Sequence, residues 1–340
     1  MLRPSCARHS TITSVLNPTI GESLQTIPVQ EQCELDGLRE GLEKVLEVSA
    51  YLDFPFTIDE VVNYFLPRSK ISTERLRSLL SSGKLTDFPF QIRDGYLLTH
   101  TNQSTASRNE RERISSDKLN SATNFAALLT SLVPFIRTVA VTGSVAYGSA
   151  VKWDDIDLFI VTERKRLWIS ALLTLILVRL DKLLGLRPPH LSLFCLSYVH
   201  DEHGFAKESK RNKTNPLFAR ELLKAKPVAG AKHYRKILEE NAWIREFYSS
   251  SYADALRELQ TDHDQVLNSD QTGFLSLFAD WTEEIAYVLL SNYLRVRAYI
   301  TNLRLKSEGK YFRVFEPIMS ESSCVYTSKF YRWLSALWSE

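Results

Sequence analysis

The chain has 340 residues, of which 44% are hydrophobic and 24% are charged, with a formal net charge of +2 at pH 7. These values are typical of a globular protein of two or three domains, and the charge is too small to indicate nucleic-acid binding by itself. Four dispersed cysteines form no Cys-x-x-Cys pair, which argues against a disulfide framework or zinc site and favours a reducing, cytoplasmic compartment. No stretch is long enough to predict a membrane span, and the N-terminus lacks the apolar block of a signal peptide.

The N-terminal part of the chain predicts a small domain that follows a disordered segment. Residues 1–35 are rich in Ser, Thr and Pro and have no periodicity, so we expect disorder there. Residues 36–101 predict three helices, one of them starting at a capping box at Thr57, followed by a hairpin at Asp94-Gly95. This order resembles a winged helix. Its basic residues are few, so a docking or structural role is favoured, and DNA binding remains the alternative.

The middle of the chain predicts a helix followed by a mixed sheet. Residues 102–124 carry opposite charges at helical spacing, which predicts a solvent-exposed connecting helix. Residues 125–205 then alternate apolar runs of β type with a long apolar helix at about 165–184. The last β-type run in this part covers residues 191–199. We therefore expect a core of one small mixed sheet with flanking helices at 125–205.

Within this core, the segment VTGSVAYGSAVKWDDIDLFIV at residues 141–161 carries the strongest functional signal. If residues 155–161 form a strand, Asp155 and Asp157 point to the same face, because side chains alternate along a strand. Two carboxylates on one face repel each other unless a positive charge lies between them. A hard divalent cation with oxygen ligands is the simplest candidate.

The Gly143-Ser144 pair predicts the second half of the same site. A turn between a strand and a helix presents backbone N–H groups that suit phosphate oxygens. Glycine lets the backbone approach a ligand closely, and the serine hydroxyl adds a donor. A metal-binding carboxylate pair opposite a phosphate-binding turn suits in-line attack on a nucleoside triphosphate.

Gly-Ser, a ten-residue spacer and Asp-x-Asp in an apolar strand together resemble the signature of the DNA polymerase β-like nucleotidyltransferase superfamily. The spacing is similar to that of its kanamycin-type and minimal members. The order of winged-helix-like segment, core and helical tail resembles that of uncharacterised prokaryotic nucleotidyltransferase-domain proteins. The resemblance implies an α+β fold, Mg²⁺ or Mn²⁺ held by Asp155 and Asp157, and an NTP donor whose phosphates contact Gly143 and Ser144. It does not name the acceptor.

Many members of that superfamily carry a third carboxylate on a later core strand, but residues 191–199 contain no Asp or Glu. Asp201 lies just beyond this run, and His190, His200 and His203 surround it. Asp201 or a nearby histidine could act as a base. The alternative is a site that binds nucleotide and has lost turnover.

The C-terminal part, residues 206–340, predicts a helical domain with a basic beginning. Between residues 207 and 236 there are ten Lys or Arg against two Glu. Lys210 and Arg211 lie nearest the preceding strand, so we expect them to bind the NTP or the acceptor. A solvated helix face is the alternative.

Taken together, the sequence predicts an enzyme that transfers a nucleoside monophosphate, AMP from ATP, to a small-molecule or protein acceptor. Two alternatives belong to other classes. One is a regulator with a degenerate core that binds nucleotide or DNA, and the other is a member of a toxin–antitoxin pair. The sequence predicts no membrane contact and leaves the oligomeric state open.

Overall fold

The computed structural model describes residues 29–82, 85, 90–99, 106–184, 194–261, 275–311 and 314–338. The chain divides into two compact units, one within residues 1–66 and 71–101, and the other within residues 67–70 and 102–340. Within the described residues, no helix has the length and apolar character needed to cross a bilayer.

The first unit combines helices with a three-stranded antiparallel sheet in the order β1-β3-β2. Its elements are α1 (Val29–Leu52), β1 (Phe56–Thr57), α2 (Ile58–Glu60) with a π-helical turn (Val61–Phe65), α3 (Thr73–Ser81), β2 (Phe90–Arg93) and β3 (Tyr96–Thr99). Helix α1 starts at Val29, so the boundary predicted at residues 35 and 36 falls inside a helix. Most of the predicted disordered segment, residues 1–28, lies outside the described residues.

Two local predictions in this unit are confirmed. The amide of Glu60 donates to Thr57 Oγ1 at 3.1 Å, and the amide of Thr57 donates to Glu60 Oε2 at 2.8 Å, which completes the capping box. Asp94 and Gly95 have φ of +53° and +82°, as a two-residue hairpin turn requires. The assignment of the whole unit as a winged helix stays a prediction.

The second unit is built on a six-stranded mixed sheet in the order β7-β4-β5-β6-β9-β8. The strands are β4 (Ile136–Thr142), β5 (Ile156–Thr162), β6 (Phe194–Asp201), β7 (Lys226–Ala229), β8 (Phe315–Ser320) and β9 (Ser323–Ser328). The helices are α4 (Ala106–Leu132), α5 (Gly143–Ala146), α6 (Leu167–Leu184), α7 (Glu202–Arg211), α8 (Pro216–Lys224), α9 (Ala231–Glu240), α10 (Ser249–Thr261), α11 (Leu275–Ser307) and α12 (Lys329–Trp338), with a 3₁₀ turn at Ala242–Glu246.

The side chains of strand β5 alternate between the two faces of this sheet, and the two faces pack against different elements. Ile156, Leu158 and Ile160 of β5 belong to a hydrophobic core shared with α4, α6 and α11. On the other face, the ring of Phe159 lies 5.5 Å from Phe205 of α7 and 6.1 Å from Tyr234 of α9, measured between centroids. Asp157 shares this second face with Phe159 because strand side chains alternate. The mixed sheet with helices on both faces agrees with the predicted α+β core.

The C-terminal part is not helical throughout, which corrects the prediction of a helical domain at residues 206–340. Strand β7 pairs with β4, and β9 pairs with β6, so this part supplies three of the six strands of the core sheet. Strand β7 is a four-residue edge strand containing Pro227, and β8 contains Pro317. Proline within a short run weakens a strand prediction, which explains why the sequence pattern favoured helices.

Helix α4 also differs from its predicted form. It runs without interruption through the boundary predicted between residues 124 and 125. Its first half is not a uniformly solvated face, because Arg108, Ser115 and Lys118 are buried. The mixed charges of this segment therefore did not indicate that one side of the helix is buried.

Candidate active site

The turn at Gly143 and the carboxylate of Asp157 meet at one end of the sheet. Strand β4 ends at Thr142, which pairs with Asp157 of β5. Gly143 has φ of +64°, and a Cβ built on it would lie 2.5 Å from Asp157 Oδ2. Any side chain at this position would displace the carboxylate. The glycine is therefore explained by two requirements, its left-handed backbone and the direct contact of the turn with Asp157.

Ser144 lies in the single helical turn of α5 and is held by the loop that follows. Its carbonyl accepts from the amide of Ser149 at 2.9 Å and from Ser149 Oγ at 3.3 Å. The amide of Tyr147 donates to the carbonyl of Gly143 at 3.2 Å. These bonds close the loop on itself and fix the direction of the first N–H groups of the turn, which have no partner within a helix.

The carboxylate of Asp157 is oriented by the neighbouring strand. Ser197 Oγ of β6 donates a hydrogen bond to Asp157 Oδ1. Burial raises the pKa of Asp157 to about 6, the bond from Ser197 opposes that rise, and the charges of Asp155 and Asp154 add to it. A carboxylate so placed favours the approach of a positive charge, because a nearby cation stabilises its ionised form.

Asp155 lies immediately before β5, on the approach to the same end of the sheet. Desolvation of its carboxylate raises the pKa of Asp155, while the positive charges of Lys118 and Arg297 oppose the rise. Asp154 is a loop residue. Its Oδ2 accepts from the amide of Val151 at 3.0 Å and so shapes the turn that leads to Asp155.

Lys118 of α4 is part of the site and was missed by the sequence analysis, which assigned it to a solvated helix. Its buried Nζ donates to the carbonyl of Val151 at 2.9 Å and also to the carbonyl of Asp154. Burial lowers the pKa of Lys118, and the charges of Asp154, Asp155 and Asp157 oppose this shift. The available signal was its spacing of four residues from Ile114 and from Ala122, which places it on the apolar side of α4.

Asp201 does not complete the carboxylate pair. It pairs with Thr162, five residues from Asp157 along the sheet, or about 17 Å. Its two oxygens are used in the fold, because Oδ1 accepts from the amide of Gly204 at 2.7 Å and Oδ2 from the amide of Lys165 at 2.9 Å. Asp201 is therefore the N-cap of α7, and the structure does not favour the alternative in which Asp201 acts as a base beside the carboxylate pair.

His200 and His203, the two described histidines near β6, do not lie beside the carboxylate pair. His200 is buried at the same far end of the strand, where its Nδ1 lies 3.0 Å from Ser323 Oγ. Burial lowers the pKa of His200 to about 4, so the ring is neutral at neutral pH. His203 is exposed on α7, and His190 lies outside the described residues.

The predicted cationic pair, Lys210 and Arg211, lies exposed in the last turn of α7. Arg211 Nη2 lies 3.0 Å from Glu208 Oε1 in the same helix. No contact found among the described residues joins Lys210 or Arg211 to Gly143, Asp155 or Asp157. The structure therefore favours the solvated-face alternative for these two side chains.

Other basic residues of the same run approach the turn through Tyr147. The Tyr147 hydroxyl donates to Glu221 Oε1 of α8 at 2.8 Å. Lys224 Nζ lies 5.6 Å from the centroid of the Tyr147 ring, and the buried guanidinium of Arg220 lies 5.8 Å from it and 4.9 Å from the ring of Trp338. The basic run thus contacts the candidate site through α8 rather than α7.

The described residues offer two aspartates, Asp155 and Asp157, as candidate metal ligands at this end of the sheet. Among the described residues, no cluster of three or more His, Cys, Asp or Glu side chains could hold a metal ion. Mg²⁺, however, is commonly bound by one or two carboxylates, with substrate phosphates and waters completing its octahedron. Asp155 and Asp157 fit such an ion in the presence of a nucleotide, and they do not form a complete metal site by themselves.

Comparison with known families agrees with this geometry. Residues 124–226 match the family model described as a nucleotidyltransferase domain. The match covers β4, the Gly143 turn, β5 and β6, and it ends in the first residue of β7. Residues 124–226 are thus similar to a nucleotidyltransferase domain, which supports a transferase. Comparisons with curated proteins and with solved structures give no match.

Proposed function

We propose that this chain transfers a nucleoside monophosphate, AMP from ATP, to a small-molecule or protein acceptor in a reaction that needs Mg²⁺ or Mn²⁺. The observation that carries the proposal is the contact between the Gly143 turn and the Asp157 carboxylate. In this proposal the turn binds phosphate and the carboxylate binds a cation, and the two groups are close enough to bind one metal–nucleotide complex together. Few structural roles require both groups at a single strand end.

Each residue of the site has a distinct role in this proposal. The N–H groups at Gly143 and Ser144, with the Ser144 hydroxyl, bind the distal phosphates of the NTP. Asp155 and Asp157 hold the cation, which when bound neutralises the charge that develops on the phosphates. Ser197 fixes the orientation of Asp157, and Lys118 fixes the loop that carries Asp155. The protein thereby aligns the α-phosphorus with the attacking group of the acceptor.

The proposed reaction breaks the bond between the α-phosphorus and the bridging oxygen of the β-phosphate. A new bond forms from that phosphorus to an acceptor hydroxyl, amine or phosphate oxygen, and pyrophosphate leaves. The acceptor's proton, where it has one, is released. Lys224 and Arg220 of α8 supply positive charge on the side of the turn where the leaving group would lie.

The test is a transfer assay with ATP labelled at the α- or the γ-phosphate, with Mg²⁺ and a panel of acceptors, followed by mass spectrometry. The proposal predicts that acceptors gain the α-label and the mass of an adenylyl group, while the γ-label leaves in pyrophosphate. Acquisition of the γ-label would indicate a phosphotransferase and contradict the proposal. Replacing ATP by GTP, CTP or UTP in the same assay tests the choice of donor.

A second candidate function is nucleotide binding without turnover. The observation that favours it is the composition of β6, where Cys195 and Ser197 stand beside Asp157 and no carboxylate does. This candidate predicts metal-dependent ATP binding with no transfer to any acceptor. Equilibrium binding and the labelled transfer assay, performed on the same preparation, distinguish the two functions.

A further inference from the structure

Helix α11 has two apolar faces, and the part of the chain that the structure describes covers one of them. Its buried face, with Ala286, Leu290 and Leu294, packs into the core of the second unit. The opposite face exposes large apolar side chains at helical spacing. These are Trp281, Ile285, Val288, Leu289, Val296, Tyr299, Ile300 and Leu303, each exposing between 44% and 73% of its surface.

Helix α6 widens this surface. The two helices run side by side in the same direction. The rings of Trp168 and Tyr287 pack with centroids 5.0 Å apart, and further along both helices Arg179 donates to the Tyr293 hydroxyl at 3.2 Å. Helix α6 exposes three more apolar side chains at helical spacing, Ile176, Leu180 and Leu183. We call the exposed apolar residues of α11 and α6 together the α11 face.

The size of the α11 face exceeds what a monomer normally exposes. Its stripe on α11 runs from Trp281 to Leu303, about 33 Å along the helix axis. With roughly half of each large side chain exposed, the face presents on the order of 1,000 Å² of apolar surface. The largest such patch on a typical monomer is about 300–600 Å², whereas a stable interface buries about 800 Å² on each partner.

The charges along α11 favour another copy of the same helix in the opposite direction. Glu284 is an exposed acidic residue near its start, and Arg295 and Lys306 are exposed basic residues in its second half. Their spacing of eleven residues places these three side chains along one edge of the exposed stripe. Asp280 and Arg304 are paired within the chain, with Arg166 and Glu308. Antiparallel pairing places the acidic part of each copy beside the basic part of the other, whereas parallel pairing places like charges together.

We propose that the α11 face binds a second copy of this chain in a two-fold symmetric, antiparallel arrangement. In a two-fold interface each copy contributes the same surface, so the middle of the stripe lies on the axis. Asn292 is exposed at this midpoint, between Trp281 and Leu303. A polar residue at one position of an apolar helix seam fixes the register of the pair. The proposal is independent of the proposed reaction, and its tests need no nucleotide.

The first test is the mass of the full chain in solution, measured by light scattering at micromolar concentrations. We expect a dimer. Leu289→Lys places a charge in the centre of the α11 face and should raise the dimer dissociation constant by more than about tenfold. Ile92→Lys makes the same change at an exposed apolar position of the first unit and should leave the dimer intact. A monomeric wild type would overturn the proposal, and so would a wild type that binds anionic lipid vesicles as a monomer.

The second test determines the direction of the pairing through cysteine cross-linking. Asn292→Cys places its thiol near the two-fold axis and should form a covalent dimer on mild oxidation. Leu303→Cys should not, because antiparallel pairing separates the two copies of residue 303 by about 33 Å. Cross-linking at residue 303, or equal cross-linking at both positions, would overturn the antiparallel arrangement. Wild type treated in the same way shows the contribution of the native cysteines.

Discussion

The contact between Gly143 and Asp157 makes Gly143→Ala the most informative single substitution. The new methyl group would lie 2.5 Å from Asp157 Oδ2, well inside van der Waals distance, so the carboxylate or the turn must move. Alanine at φ of +64° also carries the left-handed penalty of about 1–2 kcal/mol. The substitution therefore combines a cost in folding with a displacement within the candidate site.

Gly148→Ala separates these two effects. Gly148 has φ of +74°, so the backbone penalty is the same, but its Cβ would lie 3.6 Å from Glu112 Cγ, an ordinary contact. Both variants should lose about 1–2 kcal/mol of unfolding free energy in urea denaturation. Only Gly143→Ala should lose function, by about 100-fold, because a displacement near 1 Å at a reacting centre costs about this much.

The assay is Mg²⁺-dependent binding of labelled ATP by equilibrium dialysis, with nucleotidyl transfer measured once an acceptor is known. Equal losses in the two variants would show that backbone strain explains the effect. Full binding and transfer by a folded Gly143→Ala variant would refute the account of the turn and the carboxylate.

Three further predictions concern single side chains. Ser144→Ala should weaken ATP binding by about 0.5–1.5 kcal/mol and leave adenosine binding unchanged, as dialysis with both ligands would show, because the hydroxyl contacts only phosphate. Lys118→Met should lower the unfolding free energy by about 1–3 kcal/mol and weaken Mg²⁺-dependent ATP binding, because two carbonyls lose their hydrogen-bond donor. The control is Lys207→Met on the exposed side of α7, which should change neither quantity. His200 binds a proton near pH 6.5 in the unfolded state and only near pH 4 in the folded state. Between pH 7.5 and pH 4.5, wild type should therefore lose about 2–3 kcal/mol of unfolding free energy relative to His200→Asn, as measured by urea denaturation. Parallel pH profiles of the two proteins would contradict the burial of this ring.

Local sequence patterns were informative where the relevant interactions are themselves local. The capping box at Thr57 and the Asp94-Gly95 turn depend on residues within four positions of each other, and the structure has both. The short Gly143 turn and the β5 strand at Asp157 were predicted for the same reason, since each is encoded by a contiguous run.

Long-range placement could not be predicted from those patterns. Lys118 reaches across more than thirty residues to the Asp154 loop. Asp201 lies just beyond the predicted strand at 191–199. Because β5 and β6 pair in parallel, Asp201 lies at the end of the sheet opposite to Asp157. The strands of the C-terminal part depend on pairing with β4 and β6, which local composition does not encode.

The central claim is that Asp155 and Asp157 bind a divalent cation together with a nucleoside triphosphate. The most direct measurement is Mn²⁺ binding followed by electron paramagnetic resonance, with and without a non-hydrolysable ATP analogue, in wild type and Asp157→Asn. We expect the analogue to strengthen Mn²⁺ binding to wild type and to have no such effect on the variant. Identical Mn²⁺ and analogue binding by wild type and Asp157→Asn would contradict it.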